Sequence, residues 1–147
     1  MILKSRQLGF TTKVYSPIRH DVSTSAKKII QMLPKKRNSC IIFGGEPTVN
    51  VIGNGKGGRN QELVLRLYEK LKHKKPDFTF ASIGTDGIDG NTKFAGSIFS
   101  TKHNYDGRSY LNNNDSSSFF KKFGGLIKTG ITQNNVNDIG VIIRHTP

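Results

Sequence analysis

The apolar positions along the chain switch between two periods, and each switch marks an element. Lys13-Val14-Tyr15 reads as a short strand closed by Ser16-Pro17. From Asp21 onward Val22, Ala26, Ile29, Ile30 and Leu33 recur at helical spacing, and Pro34 ends the pattern. Ser39 to Phe43 is a continuous apolar run of strand length, stopped by Gly44-Gly45. Thr48 to Ile52 alternates, which predicts a further strand with one apolar side. A glycine-rich stretch, 53–58, opens the strongest helix, with Val64, Leu67, Tyr68 and Leu71 on one face and Pro76 at its end. Phe78 to Ile83 predicts another strand, running into Gly84-Thr85-Asp86-Gly87-Ile88-Asp89-Gly90. Weaker patterns follow: an apolar stretch at Ala95 to Phe99, helices around Asp106 to Leu111 and Asp115 to Phe123, the loop Thr129 to Asp138, and a last strand at Gly140 to Ile143. Strands alternating with helices predict an α/β fold, a three-layer sandwich around a mixed sheet. There is no internal repeat and no linker that would split it.

A length of 147 residues is enough to bury a core without disulfides or a metal scaffold. The single cysteine, Cys40, lies in the apolar run Cys40-Ile41-Ile42-Phe43 and reads as a small buried hydrophobe in a reducing, cytoplasmic setting. No apolar run approaches the roughly 20 residues of a membrane-spanning helix. Met1-Ile2-Leu3-Lys4-Ser5 lacks the apolar stretch and small-residue cleavage pattern of a secretory signal. The charge changes the picture most: Lys+Arg total 23 against 10 Asp+Glu, a net +13. Such an excess attracts polyanions and makes a basic, non-catalytic nucleic-acid-binding module the alternative to weigh. The cations, however, cluster at Lys27-Lys28, Lys35-Lys36-Arg37, Lys70 to Lys75 and Lys121-Lys122, where solvated faces and helix C-termini account for them. The phenylalanines lie in strands and helix faces, not interleaved along a basic stripe. His20, His73, His103 and His145 share no ligand spacing.

The acids are more telling than the lysines. Glu46, Asp86, Asp89 and Asp138 all sit in glycine- or asparagine-rich loops beside strands, where open α/β sheets build their sites. Any one of these aspartates alone reads as a turn-former. Two in the same loop, Asp86 and Asp89, point to function: one carboxylate as a base toward a hydroxyl, the other orienting Mg²⁺ or water. Gly53, Gly55 and Gly58 match the spacing of a dinucleotide loop. The preceding alternating strand and the missing ribose-binding acid exclude a nicotinamide site, and the lack of Gly-Lys-Ser/Thr excludes a Walker loop. Gly57-Gly58-Arg59-Asn60-Gln61 instead places backbone N–H groups, a helix N-terminus and a guanidinium together, an arrangement that favours phosphate or carboxylate. A cation in the first helical turn also calls for a compensating anion.

These stretches occur in the order of a known family. Gly44-Gly45-Glu46-Pro47-Thr48-Val49, Gly55-Lys56-Gly57-Gly58-Arg59-Asn60-Gln61-Glu62, Gly84 to Gly90, Asn114-Asp115-Ser116 and Asn135-Val136-Asn137-Asp138 resemble the MOFRL domain, the C-terminal part of type-II glycerate kinases, also named hydroxypyruvate reductases. The resemblance implies residues 38–147 as that domain and 1–37 as the tail of a preceding α/β region, together the C-terminal domain of a two-domain kinase. It implies ATP- and Mg²⁺-dependent phosphorylation of D-glycerate to 2-phosphoglycerate in a cleft shared with an N-terminal domain, here a missing or separate chain. Without that domain the resemblance implies an inactive half-site. Carried over by motif, Arg59, Asp86 and Asp89 are the catalytic candidates; Glu46, Gly57, Gly58, Asn60, Asn135 and Asp138 are the substrate- or phosphate-binding ones. The metal ligands stay unassigned. Two departures stand out: Thr129-Gly130-Ile131-Thr132-Gln133-Asn134 replaces the family's Thr-Gly-Pro-Thr-Gly-Thr, and Lys93 and Ser100 replace acids.

Overall fold

The computed structural model describes residues 1–74 and 77–144. The elements are α1 (Ile2–Gln7), β1 (Thr11–Ile18), α2 (Val22–Gln31), β2 (Ser39–Gly45), α3 (Arg59–Leu71), β3 (Phe78–Gly84), β4 (Gly96–Ser100), α4 (Arg108–Asn112), α5 (Ser116–Phe123), β5 (Leu126–Ile127) and β6 (Asp138–Arg144). The strands form one mixed sheet in the order β1-β2-β6-β3-β4-β5. β1 and β2 are parallel, and β6 runs antiparallel to both β2 and β3. β1, β2 and β3 therefore share a direction, and their C-terminal ends meet the start of β6 along one edge of the sheet.

The core lies on one face of that sheet. Ile41, Phe43, Phe78, Phe80 and Ile142 point from the strands into a layer built by α2, α3 and α5, where Val22, Ile29, Leu67, Tyr68, Phe119 and Phe120 are buried. Burial of each such side chain contributes on the order of 1.5–3 kcal/mol. Aromatic edges add to it, with Tyr68 and Phe99 T-shaped at 4.9 Å. Asp21 is the N-cap of α2, its carboxylate accepting from Ser23 N–H at 3.0 Å and Thr24 N–H at 3.1 Å. On the opposite face α1 forms the third layer. Thr12, whose hydroxyl lies 2.6 Å from that of Ser5, is on the other side of β1 from the core residue Tyr15.

Several expectations change. Thr48 to Ile52 is not a strand: Thr48 makes one isolated bridge to Asp21, and Val51 and Ile52 are exposed. The backbone there is held by side chains from elsewhere, as described below. β1 is longer than its pattern and runs through Pro17, which an edge strand accommodates. α3 is buried nearly all round, Leu63 and Leu65 included, because α2 and α4–α5 pack around it on the sheet. α1 and β5 carry no pattern of their own; Leu3 and Leu8 of the α1 region are exposed, and β5 has two residues. β1 and α2 precede residue 38 yet belong to the same sheet and core as everything after it. Pro76, expected to stop α3, together with Lys75 and His145, lies outside the described residues.

Candidate functional site

Asp138, the first residue of β6, pairs with Gly45 at the end of β2 and with Gly84 at the end of β3. Its carboxylate is 4% exposed and faces Arg59, the first residue of α3. Arg59 donates from Nε to Asp138 Oδ2 at 2.6 Å and from Nη2 to Asp138 Oδ1 at 3.0 Å. Nη2 also lies 3.2 Å from Glu46 Oε1, on the loop leaving β2. This bidentate clamp fixes the plane of the guanidinium. The hydrogen bonds to Asp138 push the Arg59 pKa up despite partial burial, so the group stays charged. The anion that a first-turn cation requires is thus internal: Asp138 and Glu46 supply it. Among the described residues, Nη1 of Arg59 has no partner, and the side chain remains 32% exposed on the wall of a cleft.

Asp89 has a different role from the one its motif suggested. It is 1% exposed, and each oxygen takes two donors. Oδ1 accepts from the N–H and Nδ2 of Asn60 at 2.9 and 3.2 Å, and Oδ2 from the N–H and Nε2 of Gln61 at 2.8 and 3.0 Å. Burial pushes its pKa up, and these donors oppose that shift. A saturated, enclosed carboxylate has no lone pair to offer a metal or hydroxyl. Asp89 is the N-cap of α3 supplied from another loop, because Gly58 at the N-cap position has no side chain to do it. A Cβ on Gly58 would collide with the Asp89 carboxylate. Asn60, expected to contact a ligand, is likewise enclosed, its Oδ1 accepting from Ser82 Oγ at 2.6 Å.

The glycine loop is also not a set of bare N–H groups. Ile52 and Gly53 N–H donate to Asn114 Oδ1 at 2.8 and 2.9 Å, Asn54 N–H to Asn113 Oδ1, Gly55 N–H to Asn113 O, Lys56 N–H to Asp115 Oδ1, and Gly57 N–H to Asn91 Oδ1. Among the described residues only Gly58 and Arg59 N–H remain open at the helix start. The expected anion cradle shrinks to these two groups beside Arg59. The loop has no ladder because its donors are spent on the Asn113–Asp115 turn and, at Gly57, on Asn91.

Asp86 is the carboxylate of its loop that stays available. It is half-buried, and its one side-chain hydrogen bond among the described residues comes from Ile88 N–H at 3.0 Å. A methyl on Gly84 would sit 3.0 Å from Asp86 Oδ1 and 3.5 Å from Asp138 Oδ1, so the two carboxylates are neighbours over that glycine. The 128–137 loop is knitted to this turn by Thr132 N–H to Asp86 O at 3.1 Å and Val136 N–H to Thr85 Oγ1 at 2.9 Å. Asn135 is exposed and accepts locally from Asn137 N–H, so its side chain does not join the Arg59 cluster.

Arg59 borders a cleft of about 580 Å³, a size suited to a small ligand, with Pro47, Val49 and Val51 as its apolar wall and Gly57, Gly58 and Asn91 on the polar side. A second cleft of about 580 Å³ lies beyond Glu46, against Arg19 and Asp138. Among the described residues no group of three or more His, Cys, Asp or Glu converges as a metal site.

The family model for MOFRL matches residues 39–138, which contain every candidate from Glu46 to Asp138. The chain belongs to the MOFRL family. It is 45% identical over 120 residues to a glycerate kinase of Rattus norvegicus, covering 72% of this chain and 23% of that protein. It is 48% identical over 106 residues to a glycerate 2-kinase of Picrophilus torridus, covering 71% of this chain and 25% of that protein. A D-glycerate 2-kinase of Thermotoga maritima is 46% identical over 119 residues, covering 75% and 28%. The chain thus spans about a quarter of the length of these relatives. The crystal structure of the Thermotoga maritima glycerate kinase superposes with a TM-score of 0.85 at 34% identity, covering 95% of this chain and 37% of that one. A protein of Pyrococcus horikoshii superposes equally well at 28% identity, covering 99% and 37%.

Two further residues of the cleft, Glu62 and Asn114, belong to the motifs of this MOFRL domain but not to the candidates carried over from them. Glu62 is buried, its Oε1 accepting from Arg66 at 2.7 Å and its Oε2 from Asn114 Nδ2 at 3.0 Å. Asn114, at φ 51, ties Glu62 to the glycine loop. An Asn before Asp-Ser, opposite a first-turn Glu, was a signal in the chain, but only the fold shows that they meet.

Proposed function

We propose that this chain is the MOFRL part of a glycerate kinase, serving ATP-dependent phosphorylation of D-glycerate to 2-phosphoglycerate together with polypeptide beyond it. The observation that carries the reading is Arg59: a guanidinium locked by Asp138 and Glu46, with Nη1 open on a cleft and the free carboxylate of Asp86 beside Asp138. Its relatives named as glycerate kinases support the substrate class.

In this reading Arg59 Nη1, with the N–H groups of Gly58 and Arg59, holds a phosphate or the glycerate carboxylate. Asp86 orients the attacking hydroxyl and takes its proton. Phosphoryl transfer depends on positioning and charge stabilisation, so a fixed guanidinium is worth more than a mobile one. The donor set fits Mg²⁺ in its usual mode, one or two carboxylates completed by phosphate oxygens and water. The second carboxylate oxygen of Glu46, on the wall of the same cleft as Arg59, is the group that would hold it, and the ion would neutralise phosphate charge there. Asp89 positions α3 and hence Arg59. A nicotinamide reductase finds no support, because the glycine-loop N–H groups that a pyrophosphate would need are engaged by Asn91 and Asn113–Asp115. The cytoplasmic setting is part of the same proposal; among the described residues no helix is long and apolar enough to cross a membrane.

The test is a chimera in which this chain replaces the aligned segment of the Thermotoga maritima D-glycerate 2-kinase. ADP release should depend on D-glycerate, and Arg59→Ala should lower kcat by roughly 100-fold or more. A folded chimera without activity, or one indifferent to Arg59→Ala, overturns the reading.

A further inference from the structure

The sheet has two faces, and only one is fully covered. On the face away from the core, Val14, Ile42, Val141, Ala81 and Ile98 lie side by side in register across β1, β2, β6, β3 and β4. Above and below this row come Cys40, Ile143, Thr79 and Ser100, and Gly44, Ile139, Ile83 and Gly96. No strand residue of this face is charged, in a chain with 23 Lys+Arg and 10 Asp+Glu. An antiparallel face meant for water alternates to polar residues; this one alternates to isoleucine and valine. Val14 is 51% and Ile98 44% exposed. Among the described residues α1 is the one helix on this side. It reaches only the β1–β2 end, where Ser5 meets Thr12 and Cys40. Ile2, Leu3 and Leu8 of the α1 region stay exposed, alongside Lys4 and Arg6 of the same helix.

We infer that this face docks a partner segment that lies beside α1 as one or more helices with an uncharged aliphatic side, completing the third layer. Three observations choose that occupant. The patch is continuous with the packing α1 already makes, and the inner strands have their ladder partners on both sides, so the face offers side-chain packing and no strand pairing. The patch lacks charge in a chain of net +13, so an apolar partner surface loses no solvated ion there. The related kinases are about four times as long as the matched part, and so contain further polypeptide able to supply such a layer. A second copy is disfavoured, since two chains of +13 repel around the patch.

The experiment places Val14→Lys and Ile98→Lys, separately, in this chain alone and in the chimera with the Thermotoga maritima D-glycerate 2-kinase. Thermal midpoints and sedimentation velocity are read; activity is not, so a failure of the glycerate reading leaves the result interpretable. Expected are a monomeric isolated chain whose midpoint moves by less than about 2 °C, and a chimera whose midpoint falls by about 5 °C or more. If the chimera does not fold, the same substitutions at the aligned positions of the intact Thermotoga maritima enzyme give the readout. Equal small shifts in both contexts overturn the inference. So does an isolated chain that dimerises and is made monomeric by either substitution, which would assign the face to a second copy.

Discussion

The Asp89 carboxylate rests against the bare Cα of Gly58 and caps α3 across space, a contact that sets where Arg59 points. Asp89→Ala removes the acceptor of four enclosed hydrogen bonds, and among the described residues only Gln61 Nε2 of their donors keeps another partner, Thr92 Oγ1. A loss of about 3 kcal/mol is expected in urea unfolding, against the roughly 1 kcal/mol of an ordinary cap. Gly58→Ala should approach the same loss through steric exclusion of the carboxylate. A change below about 1 kcal/mol for Asp89→Ala would contradict this role.

Arg59→Ala strands Asp138, whose carboxylate is almost fully buried. The expected loss is about 3 kcal/mol, because an unpaired buried charge costs more than the pair contributes. Arg59→Lys should recover less than half, since a point charge cannot make two parallel bonds. Guanidinium unfolding would mask ionic effects, so urea is the denaturant to use.

Asn114 accepts from Ile52 and Gly53 N–H and donates to Asn50 O and Glu62 Oε2. Asn114→Ala should cost about 2 kcal/mol and release the loop. The positive φ adds to the cost, because alanine tolerates it poorly. Hydrogen exchange should quicken at Ile52 and Gly53 before the core strands change. Unaltered protection there would refute the clamp.

Asp21 has a pKa lowered from 3.8, chiefly by the Thr24 side chain and then by the backbone N–H of Thr24. A carboxylate depressed in the folded state stabilises it above the ordinary pKa, and that contribution fades as pH falls through the folded value. The stability gap between the native chain and Asp21→Ala should therefore hold from pH 7 to 5 and narrow toward pH 3. Urea midpoints at these pH values measure it; a gap that widens in acid would be the wrong sign.

Elements that bury their own periodic side chains were legible in the sequence. α2, α3, β2, β3 and β6 follow directly from apolar spacing, because each presents that spacing to one core. Thr48 to Ile52 has the period of a strand and is none, since Asn114 takes up Ile52 N–H and Asn50 O, and Thr48 pairs with His20 O and Val22 N–H, groups that a ladder would have used. α1 was silent because its apolar residues do not enter the core.

By itself the sequence determined the α/β class, the family and the loops that gather at one end of the sheet, because these depend on local periodicity and on motifs contiguous in the chain. Only the tertiary structure decided which charges meet. Asp86 and Asp89 share a motif, yet one stays half-buried beside Asp138 while the other is consumed as a helix cap. Carboxylate chemistry depends on which donors lie within about 3 Å, and such neighbours come from loops far apart in the chain.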